Sequence, residues 1–182
     1  MVEIKSLGFH YKFTDKELKQ LLQSISVLVD TREQQNQHIL KYFDSNKIPY
    51  ESIKLGVADY SVKLPSCPEL GIIKDIHLPI AIERKNSVNE LVQTFKDRTR
   101  FENELIRSQK IRFSLLVEDQ NGYENLIRGN YRSQYNAKAL VGTLKSFETR
   151  YGFFTAYIPN HASGHYIYNE FYYFVRNYLK GY

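Results

Sequence analysis

A single cysteine, Cys67, is all the thiol this 182-residue chain carries. That excludes an internal disulfide and any zinc site built on several cysteines. Cys67 sits between Ser66 and Pro68 with no histidine close in sequence, which gives no support to a nucleophilic role. Histidine is also sparse, and metal-like spacing is limited to His161 and His165, four apart within the turn-like PNHASGH. That setting argues against a zinc pair on one helical face. Long apolar runs are missing too. No stretch approaches the roughly 18 apolar residues of a membrane-crossing helix, and the opening MVEIKSLGFHYKF has no extended apolar core of a secretion signal. The expectation is a cytosolic chain without a membrane partner.

What is present is ordinary for a globular domain: 42% hydrophobic and 25% charged residues, at a length that supports one full core. The net charge of +5 is unevenly spread. Residues 83–112 hold eight Lys or Arg against five acids, and residues 128–150 hold five against one. Positive charge gathered in this way suits a polyanion, although solvated helix faces give the same count.

Apolar periodicity organises the chain as alternating strands and helices. A helix is expected over 13–25 as an added N-terminal element (1–25), ahead of a main domain over 26–182. Strands are expected at 26–30, 48–55 and 60–65, a strand or pair of strands within 70–85, and further strands at 112–119 and 152–159. Helices are expected at 34–47, 87–95, 101–109 (separate or a kinked continuation), 137–151 and 164–180, with a short one inside 121–136. This order predicts an α/β fold with a mixed central sheet flanked by helices. The last helix carries Tyr166, Ile167, Tyr168, Phe171, Tyr172, Phe174 and Tyr178, more aromatic surface than one helix usually buries. It is either a core helix or a dimer seam.

Three of these strands deliver acids at or near their ends: Asp30, Asp59 and Glu83. Glu33 lies one turn beyond Asp30, and Lys85 two residues after Glu83. Residues two apart on a strand share a face, so Glu83 and Lys85 address one site while Arg84 points away. Carboxylates converging without histidine or cysteine favour a hard divalent ion, Mg²⁺ or Mn²⁺. A lysine beside such an ion orients the attacking water, which is the chemistry of metal-assisted phosphodiester hydrolysis. Ion pairs at strand tips are the bland alternative. In the loop RGNYRSQYNAK, Arg128, Arg132 and Lys138 alternate with Tyr131 and Tyr135, a mixture that holds phosphates and stacks bases or simply faces solvent.

Taken together, VLVDTRE, KLGVADYSV and AIERKNSVNEL resemble the nuclease domain of the XPF-type structure-specific endonucleases, whose signature is GD, a gap, and ERK-x3-D. The likeness covers roughly residues 26–150 and is strongest to the small bacterial and phage-borne versions. It implies the restriction-endonuclease-like PD-(D/E)xK fold. Asp59 matches the GD aspartate and Glu83 the ERK glutamate, both implied metal ligands, and Lys85 the water-positioning lysine. Arg84 is implied to support the scissile phosphate or the local fold, and Asp30 and Glu33 to border or complete the metal site. Arg100 resembles the arginine after the motif helix, and Arg98, Arg107 and Arg132 are expected to join it against DNA.

Two positions depart from the pattern. Ala58 stands where the family has glycine, and alanine resists a positive φ. Asn89 replaces the last aspartate and is expected to act behind the ligands, accepting a hydrogen bond from Arg84, Lys85 or a metal-bound water. The eukaryotic and many archaeal relatives add a tandem helix-hairpin-helix module, which this sequence does not show. The reading that results is a Mg²⁺-dependent homodimeric endonuclease of branched or junction DNA, serving repair, recombination or mobile-element processing in a bacterial or phage-infected cell or at its nucleoid. The rival is a catalytically silent DNA-binding or scaffolding member of the same family, with a generic recombination or restriction nuclease of the superfamily as a second alternative.

Overall fold

The structure, a computed structural model, describes residues 12–181. Residues 1–11 of the expected N-terminal element, His10 among them, lie outside the described residues. Helix α1 (Asp15–Ser24) starts at a capping box: the Thr14 hydroxyl accepts from Glu17 N, and the Glu17 carboxylate accepts from Thr14 N. Its apolar side, Leu18, Leu21 and Leu22, packs into the main core.

The sheet has six strands in the order β2-β1-β3-β4-β5-β6. Strand β1 (Ser26–Asp30) runs parallel to β2 (Tyr50–Ile53) and antiparallel to β3 (Tyr60–Leu64), and β3 is antiparallel to β4 (Ile76–Lys85). Strands β4, β5 (Arg112–Val117) and β6 (Phe154–Tyr157) are mutually parallel neighbours. The fold class expected from the sequence is therefore the one observed. The open question over 70–85 resolves to one long strand, preceded by a 3-10 turn over Pro68–Leu70 that Gly71 closes at φ 80°.

Alternation along the strands divides the core in two, one half on each face of the sheet. Ile80 and Ile82 of β4 and Leu116 of β5 point to the face covered by α1, α2 (Gln37–Ser45) and α7 (Ser163–Lys180). Ala81, Phe113, Leu115 and Val117 point to the other. There α3 (Val88–Lys96), α4 (Arg98–Ser108), α5 (Gly122–Arg128) and α6 (Ala137–Tyr151) pack. Helices α3 and α4 meet at Asp97, which ends one and caps the other, so the expected break in register is a true elbow. At the start of α7, Gly164 lies so close to Tyr42 of α2 that an added Cβ would come within 2.7 Å of it. Among the described residues no helix is long and apolar enough to cross a membrane.

Candidate active site

The charged end of β4 lies in the middle of the sheet, paired with β5 through Glu83–Leu115, Arg84–Leu116 and Lys85–Val117. Period-two geometry therefore fixes the fate of three consecutive charges. Glu83 and Lys85 continue the Ala81 face, towards α3 and α4; Arg84 continues the Ile82 face, towards α2. All three are buried.

On the α3–α4 side, the Lys85 ammonium is ion-paired with Glu83. Burial opposes the charge on Lys85, yet Glu83, the hydrogen bond to it and Asp59 raise its pKa. These partners favour its charged form, a donor suited to hold a water or a phosphate oxygen.

Asp59 sits just before β3 and is pinned from both sides: its N–H donates to Ile82 O (3.2 Å) and its carbonyl accepts from Asp30 N (2.8 Å). Its carboxylate Oδ2 accepts from the Arg84 N–H at 2.8 Å. Ala58, which presents it, has φ 62°. An L-residue in that left-handed region costs about 1–2 kcal/mol, and here the buried methyl packs into the α3–α6 core, offsetting part of it.

Burial pushes the Asp59 carboxyl up to about 8, with the nearby Glu83 charge adding to the effect. A second acid shares this condition. Glu104 of α4 contacts Glu83, and burial first and Glu83 second push its carboxyl up to about 7. A cleft of about 480 Å³ opens above Asp59, Glu83, Lys85, Glu90 and Arg100, with Glu33 and Arg32 on its wall. Two smaller spaces of about 240 Å³ adjoin it and share Glu83, Arg100 and Glu104.

The donor set fits a hard divalent cation. It contains only carboxylates, and burial has left two of them short of positive charge, which a cation would relieve. Among the described residues no group of three or more His, Cys, Asp or Glu surrounds one point in a ligand cage. Asp59 Oδ2 and Glu83 Oε1 are already turned to the Arg84 N–H and Lys85. One or two carboxylates plus phosphate and water oxygens are the ligands Mg²⁺ ordinarily takes.

On the opposite face, Arg84 is held by Glu33 Oε1 (3.2 Å), Gln35 O (2.8 Å) and Glu118 Oε2 (2.8 Å). His38 Nε2 lies 2.6 Å from Glu118 Oε1, and Asn160 Nδ2 donates to Glu118 Oε2 at 3.1 Å. Arg84 is therefore a buried brace of the fold, with Nη1 and Nη2 held by protein groups and Nε buried without a partner; of the two roles expected of it, phosphate support or support of the local fold, these bonds are of the second kind. Glu33 lines the cleft, and its carboxylate faces Arg84 and the Gln35 N–H (3.1 Å).

Two expectations need correction. Asp30 was expected to hold or border the metal; its buried carboxylate instead accepts four hydrogen bonds. Three come from Arg32 N, Nε and Nη2 (2.8, 2.7 and 3.0 Å) and one from Leu55 N (2.7 Å). Burial alone would raise its pKa, but these bonds prevail and lower it. Its lone pairs are committed to the β1–β2 loops.

Asn89 was expected behind the ligands; it is exposed, and its Oδ1 accepts from Arg132 N at 2.7 Å, tying α3 to the loop before α6. Glu90, its neighbour on α3, lines the cleft in its place. Arg98, expected on DNA, is exposed, with its guanidinium over the Phe147 ring of α6, 5.1 Å from the centroid. Arg100 and Arg107 do line the acidic spaces, and Arg132 is exposed near the start of α3.

Sequence reasoning missed Glu104 and Arg32. Arg32 falls inside VDTRE, and its side chain reaches the cleft while bonded to Asp30. Glu104 has a weaker signal: it follows Arg100 by four positions on one helix, which puts both on one side of α4.

Comparison with known proteins adds to this geometry. A family model described as the ERCC4 domain matches residues 29–169. XPF from Aeropyrum pernix superimposes with a TM-score of 0.60 at 18% sequence identity, over 83% of this chain and 65% of that one. XPF from Aeropyrum pernix in complex with DNA gives a TM-score of 0.59 at 18% identity, over the same shares. The chain thus spans 65% of the length of these solved relatives, and the likeness concerns the fold. No curated protein matches the sequence.

Proposed function

Because this chain belongs to the ERCC4 domain family of DNA nucleases, we propose that it is a divalent-metal-dependent endonuclease cutting branched or junction DNA. One observation carries the reading: Asp59, Glu83 and Lys85 stand together at a cleft that Arg100 also lines, at the charged end of β4. Asp59 and Glu83 are the residues that would hold Mg²⁺ or Mn²⁺. A bound ion of this kind supplies Lewis-acid polarisation of the phosphate and a more acidic water. Lys85, held protonated by Glu83, donates to that water or to a phosphate oxygen. Arg100, Arg107 and Arg32 hold the neighbouring phosphates. The Arg84 N–H fixes the Asp59 carboxylate, so the two acids keep their separation while substrate changes.

We also assign the long groove of about 510 Å³ along α7 to a homodimer. Tyr166, Tyr173 and Phe174 line it beside Arg112 and Glu170. Phe154 lies exposed on the β6 edge of the same sheet. An unpaired strand edge beside an aromatic groove is a surface a second copy covers.

The test of the nuclease reading is incubation with flap, fork, four-way and linear DNAs, with and without Mg²⁺ or Mn²⁺. Metal-dependent cleavage of a branched substrate in preference to the linear one is expected. DNA binding without cleavage of any substrate supports the silent scaffolding reading instead. Light scattering after size exclusion reads the dimer, and a monomer at micromolar concentration overturns that part.

A further inference from the structure

The loop between α5 and α6 carries positive charge that the cleft does not use. Residues 125–147 hold Arg128, Arg132, Lys138 and Lys145 and no acid. The outer two cations are paired with acids that flank the stretch, Arg128 with Glu124 (2.8 Å) and Lys145 with Glu148 (2.7 Å). The inner two, Arg132 and Lys138, are exposed, and among the described residues neither has an ion-pair partner.

Local bonds fix where these two stand. Tyr131 N donates to Gly129 O and Ser133 N to Tyr131 O, both at 2.9 Å, and Gly129 takes φ 73°. Arg132 N is held at 2.7 Å by Asn89 Oδ1 of α3, whose next residue, Glu90, lines the cleft. Arg132 is thus moored beside the candidate active site, and Lys138 follows in the first turn of α6. The tyrosines between them are committed to the fold. Tyr131 and Tyr135 are partly buried against the core under α3 and α6, and the Tyr131 hydroxyl donates to Tyr135 O at 2.8 Å. Base stacking needs an open ring face, whereas these rings pack the loop. Bare cations remain, and they suit phosphates whose bases are stacked inside a duplex.

We propose that Arg132 and Lys138 form a second DNA-backbone contact, which holds a duplex arm of the substrate on the α3–α6 side of the cleft. The inference rests on the nuclease reading above and deepens it. Arg100 and Arg107 line the acidic spaces from α4, so the substrate is gripped from two separate elements.

The experiment reads DNA binding in metal-free buffer, where cleavage and metal affinity do not enter. Fluorescence anisotropy follows a labelled blunt duplex, a fork with single-stranded arms, and a single strand across a range of KCl. Arg132→Ala/Lys138→Ala is expected to lower affinity for the duplex and the fork about tenfold at about 0.1 M KCl. It is also expected to flatten the slope of log K against log salt by about 1.8, roughly 0.9 for each lost contact. Its Tm is expected to stay at the wild-type value, because both side chains are exposed. Arg132→Lys/Lys138→Arg keeps both charges and is expected to bind as wild type. Lys19→Ala/Lys41→Ala removes two exposed charges from α1 and α2, on the other face of the sheet, and is expected to keep wild-type affinity.

Wild-type affinity and slope in Arg132→Ala/Lys138→Ala, with a wild type that binds the duplex, overturn the contact and leave the nuclease reading standing. Loss confined to the single-strand probe overturns the duplex arm as occupant. An equal loss in Lys19→Ala/Lys41→Ala is a response to net charge alone and overturns the contact as well. A wild type that binds none of the three probes at low salt overturns the DNA-cutting reading itself.

Discussion

Adjacent residues of β4 lead into two buried charge clusters that differ in their balance. On the α2 side, Arg84 stands among Glu33, Glu118, His38 and the Gln35 carbonyl. Burial works against the Glu118 charge, but its bonds to Arg84 and His38 hold its carboxyl below the usual range. On the α4 side, Asp59, Glu83 and Glu104 face a single ammonium, Lys85, and burial pushes Asp59 and Glu104 above that range. Burial is common to both sides. The positive charge available to the acids is what separates the brace from the site proposed to take a cation.

The most severe break of this comparison comes from the under-neutralised side. Glu83→Gln is expected to lower cleavage at least a thousandfold, about 4 kcal/mol in the barrier, while Tm stays within about 4 °C, the equivalent of ~1 kcal/mol. Steady-state cleavage and a thermal melt on the same preparation read both. The balanced side predicts the reverse. Arg84→Met leaves Glu118 and Glu33 buried without their partner and is expected to cost about 3–5 kcal/mol of stability, with cleavage falling only as the folded fraction falls. A stable Arg84→Met protein that binds DNA but does not cut would move Arg84 into the chemistry and dissolve the contrast.

Asp59→Asn sharpens the contrast through pH. The folded chain holds the Asp59 proton up to about 8, whereas an unfolded aspartate releases it near 3.9. Between those values the folded state binds more protons, so raising pH lowers stability. The substitution removes that penalty. In metal-free buffer at pH 8 it is expected to be more stable than wild type by about 1–2 kcal/mol, roughly 2–8 °C in Tm, with the difference shrinking towards pH 5. Equal pH dependence of the two proteins would place Asp59 in a neutralised setting. The smallest effect belongs to Asn89. Asn89→Ala frees the Arg132 N–H at an exposed position and is expected to cost about 0.5–1 kcal/mol, with cleavage within about threefold of wild type.

The division of Glu83 and Lys85 from Arg84 was legible because strand geometry leaves no other choice once the strand is found. The β-α order was legible from the apolar periodicities, and Asp59 from its place at a turn between two alternating segments. Asp30 looked like its equivalent in one dimension. Its difference lies in Arg32 and the Leu55 N–H, which loop conformation brings to its lone pairs, and no spacing encodes that. Asn89 missed because Ser87 caps α3, its hydroxyl accepting from Glu90 N at 3.3 Å, and the helix start so placed turns Asn89 to Arg132. Glu104 depends on the elbow at Asp97, whose angle is set by the packing of Phe95, Phe101 and Phe147.

Several of the contacts that hold the site and its brace reach far along the chain. The Arg84 N–H meets Asp59 across 25 residues, Arg84 meets Glu118 across 34, and Glu33 meets Arg84 across 51. Closing such loops is entropically costly and comes with global sheet formation. A nascent chain that has emerged only through β4 has Asp59, Glu83 and Lys85 but lacks both Glu118 and the β5 strand that pairs with the charged end of β4. Assembly of the candidate site is thereby coupled to completion of the fold, and under the nuclease reading a half-made or unfolded copy is harmless to the DNA around it.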